Sequence, residues 1–158
     1  MTMPPEIAEF WRAFVAAVGA VDEARFYEVF SFGDSETLGN ELAELVLAGK
    51  KRATAGAVWT YAVEGKRLPA PGDLSVMTDG VGQPLCVIRT TRVNVVAFNE
   101  VSAEFAAAEG EGDGSLAFWQ QSHCEYFSRE CAQQGRAFVE TMLVFCERFE
   151  VVFQPGTR

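Results

Sequence analysis

The chain passes from a helical pattern to a cluster of cations at a single glycine, and this change limits how its middle part can fold. The apolar residues before the glycine recur at helical spacing: Leu38, Leu42, Leu45 and Val46. Asp34 or Ser35 suits the N-cap of this helix, and Gly49 suits its C-terminal cap. Lys51 and Thr54 follow in the pattern G-x-K-x-x-T, so that an amine and a hydroxyl come directly after a helix end.

The remaining segments predict a mixture of helices and strands. Residues 7–18 carry an apolar stripe at helical spacing, which indicates a helix that packs on the domain or contacts another copy. A long helix is predicted over residues 116–134. Strands are predicted over residues 26–32, 74–78, 85–90, 92–98 and 141–153. Residues 53–61 fit a helix or a strand, and their β-branched and aromatic side chains favour a strand.

The composition indicates one soluble domain with a core of its own. The chain has 158 residues, of which 49% are hydrophobic and 22% are charged. No apolar run approaches the roughly 20 residues of a membrane helix, and the first residues lack the pattern of a signal peptide. We therefore expect a cytoplasmic protein without membrane contact, and we interpret its four cysteines as buried apolar residues.

The charge of the chain is unevenly distributed. With 22 acidic and 13 basic residues the net charge is −9, which argues against non-specific coating of nucleic acids. Five basic residues nevertheless lie between positions 50 and 67: Lys50, Lys51, Arg52, Lys66 and Arg67. If these cations surround the entrance of a binding site and form a basic mouth on an otherwise acidic protein, they would attract an anionic ligand.

Several short motifs occur in an order that resembles the ASCH domain family. They are Phe30 to Ser35, Gly49 to Thr54, Pro71-Gly72-Asp73, Cys86 to Thr90, Ala108 to Asp113, Ser115-Leu116 with Trp119, and Cys146-Glu147-Arg148-Phe149. The resemblance covers roughly residues 26–153 and implies an α+β fold, a PUA-like β-barrel of five to six strands with about four surrounding helices. Residues 1–25 would then be an accessory helix packed on the ASCH domain of residues 26–153, and residues 154–158 a tail.

The same resemblance implies an association with RNA. Some family members resemble RNA-binding modules and some are ribonucleases, whereas a short-chain branch hydrolyses N4-acylated cytidines with a lysine, a threonine and a glutamate. Lys51 and Thr54 match the first two of these residues. Glu109 matches the glutamate at the start of a longer loop, with Glu111 as the second choice for the functional acid.

These three residues form a candidate catalytic constellation. A lysine acts as a base only when its pKa is lowered, and we expect burial and the neighbouring cations Lys50 and Arg52 to lower the pKa of Lys51. Neutral Lys51 would then take the proton of the Thr54 hydroxyl and leave a nucleophile, or activate a 2′-hydroxyl or a water. The acid, Glu109 or Glu111, would orient the lysine or protonate the leaving group.

A set of binding residues is predicted around this constellation. It consists of Lys50, Arg52, Trp59, Tyr61, Arg89, Glu111 and His123. Trp59 and Tyr61 are interpreted either as core aromatics or as platforms on which bases stack. His123 lies on the apolar face of its helix and is either a packed histidine or a general acid.

Three functions fit these residues, and a ribonuclease acting on single-stranded RNA ranks first. An amidohydrolase of N4-acylated cytidine nucleosides is the alternative, and a non-catalytic RNA-binding module is the third. The predicted partner is therefore RNA or a modified nucleoside, and DNA is not predicted. No cofactor motif or metal-ligand spacing is evident, although Glu109, Glu111 and Asp113 could recruit a divalent metal ion.

Overall fold

The computed structural model describes residues 3–156, which form one five-stranded sheet with helices packed on it. The strands are β1 Phe26–Phe30, β2 Ala53–Ala57, β3 Leu74–Thr78, β4 Pro84–Ala97 and β5 Leu143–Phe153. The helices are α1 Pro5–Val18, α2 Glu36–Leu47, α3 Val58–Val63, α4 Ala103–Glu109 and α5 Leu116–Gln133. Residues 1–2 and 157–158, the ends of the predicted accessory segment and tail, lie outside the described residues.

The sheet is mixed and has the strand order β1-β3-β4-β5-β2. β1 runs parallel to β3, and every other neighbouring pair is antiparallel. The predicted strands at 85–90 and 92–98 form the single long strand β4, which is irregular between Thr90 and Arg92. β4 pairs with β3 over residues 84–89 and with β5 over residues 87–97, so it joins the two halves of the sheet.

The prediction of an α+β fold is confirmed, with five strands and with five helices instead of about four. Within residues 3–156 the sheet is not a closed barrel, because β1 and β2 lie at its two edges and do not pair with each other. Glu28 of β1 and Thr54 of β2 nevertheless line the same pocket. The sheet is therefore curled, with its two edge strands on either side of a gap, and this gap is the pocket.

The segment of residues 53–61 is a strand only in its first half. β2 ends at Ala57 and α3 begins at Val58, so the preference for a strand over residues 58–61 is wrong. The Thr60 hydroxyl donates a hydrogen bond to the carbonyl of Ala57 over 2.8 Å, which supports the first turn of α3. The ring of Tyr61 packs edge-on against Phe145 of β5, with the ring centroids 5.0 Å apart. This packing outweighs the strand propensity of the aromatic residues.

Three groups of buried side chains hold the helices to the sheet. α1 contributes Ile7, Trp11 and Phe14 to a cluster with Phe26, Leu74, Val76 and Val87. α2 contributes Ala43 and Val46 to a cluster with Phe32, Met77, Cys86, Ile88 and Phe149. α4 and α5 contribute Phe105, Trp119 and Phe127, among others, to a cluster with Ala53, Ala57, Val144 and Cys146. The apolar stripe of α1 is therefore covered by the sheet of its own chain.

Two further expectations concern the cysteines and the membrane. All four cysteines are free thiols; Cys86, Cys131 and Cys146 are buried and Cys124 is half-buried. Within residues 3–156, no helix combines the length and the apolar character that crossing a bilayer requires.

Replacing Trp11 with alanine should lower the free energy of unfolding by about 3–5 kcal/mol, because its side chain is buried and contacts the rings of Phe14 and Phe26. Chemical denaturation measures this change. Arg12→Ala, at the exposed neighbouring position, is the matched control and should change the free energy of unfolding by no more than about 0.5 kcal/mol. Equally small changes in both variants would contradict the packing of α1 on the sheet.

Candidate functional site

The five-residue loop between α2 and β2, residues 48–52, carries Lys51 into the interior. The backbone N–H groups of Lys50 and Lys51 both donate to the carbonyl of Leu45, in the last turn of α2. The N–H of Arg52 donates to the carbonyl of Ala108 in α4, over 2.8 Å. The loop is thus bound to two helices, and only 1% of the Lys51 side chain is exposed.

The buried ammonium of Lys51 uses its three protons in three hydrogen bonds. Nζ donates to Oε1 of Glu109 over 2.6 Å, to Oε2 of Glu111 over 2.8 Å and to the carbonyl of Ala53 over 2.8 Å. The ring of Phe32 lies against the same ammonium, with its centroid 5.1 Å from Nζ. Lys51 is therefore fixed between two carboxylates.

Glu109 connects Lys51 to helix α5. Its Oε2 accepts a hydrogen bond from Nε1 of Trp119 over 2.7 Å and lies 3.3 Å from Nε2 of His123. Nδ1 of His123 lies 3.0 Å from the carbonyl of Trp119, and because a carbonyl only accepts, Nδ1 carries a proton. The rings of Trp119 and His123 stack, with their centroids 4.1 Å apart. Nε2 is thus free to hold a second proton toward Glu109.

A glycine makes it possible for both glutamates to reach Lys51. Gly110 follows the end of α4 in the left-handed conformation, with φ +67°. A Cβ atom at this position would collide with the carbonyl oxygen of Lys50. The backbone between Glu109 and Glu111 can therefore lie directly against the loop that carries Lys51.

The charges in this cluster perturb one another. Burial lowers the pKa of Lys51, but Glu109 and Glu111 outweigh it and raise the pKa above its usual value. Burial raises the pKa of Glu109, yet Lys51 and His123 hold it well below its usual range. The pKa of Glu111 is raised by burial against the opposing charge of Lys51, and Glu109 raises it further. Burial lowers the pKa of His123, and Glu109 more than offsets that effect. The resting cluster thus contains a charged lysine and an ionised Glu109, and Glu111 is the carboxylate that takes up a proton most readily.

The cluster lies in the wall of a pocket of about 240 Å³ between the two edges of the sheet. Thr54, from β2, lines the same pocket. The charged residues of the wall are Glu28, Lys51, Glu109, Glu111, Arg129, Glu130 and Glu147, together with the histidine His123. Five carboxyl groups face two permanent cations, so the wall is acidic.

The structure brings six of the predicted site residues to this pocket and leaves four outside it. Lys51, Thr54, Tyr61, Glu109, Glu111 and His123 line the pocket. Lys50 and Arg52 are exposed and do not line it. The Cζ atom of Arg136 lies over the ring of Trp59, 4.2 Å from its centroid. Arg89 forms an ion pair with Glu150.

The prediction of a basic mouth is wrong, because the five cations between positions 50 and 67 do not converge. Lys66 pairs with Glu28, and Arg67 pairs with Asp73 over 2.8 Å. The expectation that Lys50 and Arg52 lower the pKa of Lys51 is wrong as well. The nearest charges are those of the two glutamates, which raise the pKa of Lys51.

The predicted acidic metal ligands are brought together only in part. Ligand atoms of Glu109, Glu111 and His123 lie within 4.8 Å of one another, a spacing that could hold a cation. Asp113 instead accepts a hydrogen bond from the N–H of Ser115 over 2.9 Å and is exposed. The ammonium of Lys51 already contacts both carboxylates, so a metal ion would have to displace it.

Sequence reasoning did not single out Glu147 or Trp119 as site residues. Glu147 lines the pocket from β5. One signal for it was present, because Glu147 alternates with Phe145 and Phe149 on a face that is otherwise apolar. The role of Trp119 as a donor to Glu109 depends on how α5 packs against α4, for which the sequence offers no local sign.

Comparison with known proteins gives consistent results. The family model of the ASCH domain matches residues 28–153. The ASCH domain from Lactobacillus crispatus JV V101 is 36% identical, with 98% of each chain covered and a TM-score of 0.90. Protein EF3133 from Enterococcus faecalis V583 is 36% identical, covering 96% of this chain and 91% of that one, with a TM-score of 0.87. No match is found among curated proteins.

A more distant similarity extends to the fold alone. The hypothetical protein PH0355 is 20% identical over 79% of this chain and 97% of that one, with a TM-score of 0.51. The family model matches a range that includes the long strands β4 and β5 and the site residues Lys51, Thr54, Glu109, Glu111 and His123. The resemblance found in the sequence is therefore confirmed, and the chain belongs to the ASCH domain family.

Proposed function

We propose that this ASCH domain hydrolyses the amide bond of a small, uncharged N-acylated nucleoside, with Thr54 as the nucleophile and Lys51 as its base. The observation that carries the proposal is the buried arrangement of Lys51, Glu109 and Glu111 in the same pocket as Thr54. N4-acylated cytidine is the first substrate to test, because the short-chain branch of the family acts on it and Lys51 and Thr54 match two of that branch's three catalytic residues.

The size and the charge of the pocket favour a nucleoside over a polynucleotide. Its volume of about 240 Å³ lies below the roughly 300–1,000 Å³ of sites that enclose drug-sized ligands, which suits a single nucleoside better than several nucleotides. RNA brings a phosphate with every nucleotide, and an acidic wall repels phosphates. A single-stranded RNA substrate, the first expectation from the sequence, therefore fits this pocket less well than an uncharged nucleoside.

The first chemical step uses the hydrogen bond between Lys51 and Glu111. Transfer of one proton from Nζ to Oε2 over 2.8 Å leaves a neutral amine beside a carboxylic acid. The raised pKa of Lys51 opposes this transfer, and the raised pKa of Glu111 favours it. The amine then takes the proton of Thr54 Oγ while that oxygen attacks the amide carbon and forms a C–O bond.

The second step releases the amine. The C–N bond of the tetrahedral intermediate breaks, and the leaving nitrogen takes the proton from Glu111. Lys51 is then an ammonium again, Glu111 is a carboxylate, and the acyl group is an ester on Thr54. The nucleoside leaves with its free amino group.

Water completes the cycle by the same transfers. Lys51 again passes a proton to Glu111 and then takes one from the water that attacks the ester carbon. The C–Oγ bond breaks, and Oγ takes the proton from Glu111. The carboxylic acid leaves, and Lys51, Glu111 and Thr54 return to their starting states. Glu109 keeps its charge throughout and positions Lys51, while Trp119 and His123 hold Glu109.

Turnover of N4-acetylcytidine by the purified protein tests the proposal. Thr54→Val and Lys51→Arg should each lower kcat/KM by about 10²–10⁴-fold, because the first removes the nucleophile and the second replaces the base with a group that stays protonated. Lys50→Ala, at the exposed neighbouring position, is the matched control and should keep wild-type turnover.

Addition of a chelator should leave the rate unchanged, because the ammonium of Lys51 occupies the position a cation would take.

Two results would contradict the proposal. One is the absence of nucleoside turnover together with cleavage of a labelled single-stranded RNA that Lys51→Arg abolishes, which would indicate a ribonuclease. The other is loss of turnover with the chelator and its recovery with a divalent metal ion, which would make the metal the reacting group. Circular dichroism of each variant checks that it is folded.

The pH dependence of kcat should show an acid limb that belongs to Glu111. Once Glu111 is protonated it cannot accept the proton of Lys51, so kcat falls as pH decreases through the pKa of Glu111. Because this pKa is raised, the limb should lie above the value of about 4.3 for an ordinary glutamate. Glu111→Gln should lower kcat at all pH values and remove the limb, whereas Asp113→Asn in the same loop should preserve both. Persistence of the limb in Glu111→Gln would assign it to another group.

A further inference from the structure

Glu147 stands next to the proposed nucleophile in a part of the pocket that the reaction scheme does not use. Thr54 of β2 and Glu147 of β5 are directly opposite each other in the antiparallel register. Their side chains therefore project from the same face of the sheet, with Cβ atoms about 4.5–5.5 Å apart. Both residues line the pocket.

The surroundings of Glu147 favour its neutral form. Its side chain is 8% exposed, and across residues 3–156 no cation forms an ion pair with it. The Thr90 hydroxyl donates a hydrogen bond to Oε2 of this carboxyl group over 2.6 Å.

The carboxyl group of Glu147 interacts electrostatically with titratable groups of the neighbouring elements. They are Tyr27 and Glu28 of β1, Tyr61 of α3 and Asp73 immediately before β3. Lys66 and Arg67 are engaged by Glu28 and Asp73 and do not pair with Glu147. Burial raises the pKa of Glu147 to about 7 against the hydrogen bond from Thr90, and Glu28 and Asp73 contribute to the rise. A large fraction of Glu147 is therefore protonated at neutral pH.

A neutral carboxyl group offers a ligand two adjacent hydrogen-bonding atoms. With Oε2 engaged by Thr90, the O–H of the protonated acid donates while its carbonyl oxygen accepts. A ring nitrogen beside an exocyclic N–H, as in cytosine and its N4-acyl derivatives, presents the complementary acceptor and donor. An ionised carboxylate only accepts, so it would face the lone pair of the ring nitrogen without a proton between them.

From this juxtaposition we infer that Glu147 is a specificity-determining residue that binds, as a neutral acid, the acceptor–donor edge of an uncharged nucleobase beside Thr54. This inference rests on the proposed function, because it places the exocyclic nitrogen that carries the acyl group next to the nucleophile. It adds a positional requirement, since an acylated amine without a neighbouring ring acceptor would lose one of the two hydrogen bonds. The site would prefer a nucleobase with this edge to a simple amide. A simple amide has no ring acceptor and would leave the O–H of Glu147 without a hydrogen-bond partner.

A competing role for Glu147 is that of a base for Thr54, which requires the ionised carboxylate. Glu147→Gln separates the two roles, because a glutamine side chain offers a donor and an acceptor at all pH values and cannot take up a proton. If Glu147 recognises the nucleobase, this variant still binds cytidine, and the binding no longer depends on pH. If Glu147 is a base, the variant keeps binding and loses turnover.

The test is calorimetric titration with cytidine across neutral pH, using wild type, Glu147→Gln, Glu147→Ala and Glu150→Gln. For wild type the Kd of cytidine should rise about tenfold per pH unit above the pKa of Glu147. Glu147→Gln should bind with a pH-independent Kd close to the low-pH value of wild type, and Glu147→Ala should bind at least about tenfold more weakly at low pH. Glu150→Gln, at an exposed position on the same strand, should keep the wild-type pH dependence.

The inference is overturned if cytidine does not bind wild type, if its Kd does not change with pH, or if Glu147→Gln retains the wild-type pH dependence. Turnover of N4-acetylcytidine measured with the same samples separates this failure from that of the proposed function. Turnover with pH-independent cytidine binding would keep the hydrolase and remove the role of Glu147. Binding that depends on Glu147 without turnover would keep the recognition site and remove the hydrolase.

Discussion

The ammonium of Lys51, held between Glu109 and Glu111 in the protein interior, is the interaction on which the rest of the site depends. A buried charge is tolerated only when it is paired and hydrogen-bonded, and removing one partner of such a pair costs about 3–5 kcal/mol. Three hydrogen bonds meet this requirement for Lys51. They also fix Nζ in one place, with a transferable proton beside a carboxylate whose pKa is raised.

The fold builds this arrangement from elements that are far apart in the sequence. α2 ends at the loop of Lys51, α4 ends at Glu109, and Gly110 lets the two backbones meet. The open gap between β1 and β2 supplies the space for a ligand, and β5 places Glu147 opposite Thr54. The result is a small pocket with an acidic wall, which suits an uncharged ligand with hydrogen-bonding edges better than a polyanion.

The family resemblance predicted the fold class. Local signals predicted Asp34 or Ser35 as the cap of α2, where the structure has Ser35, and they placed Lys51 and Thr54 after a helix end. The features that were missed depend on contacts between distant segments. The pairing of Lys66 and Arg67 with Glu28 and Asp73 removed the expected basic mouth. In the same way, the turn of residues 58–61 into α3 follows from packing on β5, and the neighbourhood of Glu147 follows from the register of β2 and β5.

The most direct test of the central claim is the intact mass of the protein, quenched in acid during turnover of N4-acetylcytidine and followed by peptide mapping. The account predicts a population of wild-type protein that carries one acyl group, located on Thr54, and no such population for Thr54→Val or Lys51→Arg. Product formation by Thr54→Val at the wild-type rate would contradict the account. An acyl group on any residue other than Thr54 would contradict it as well.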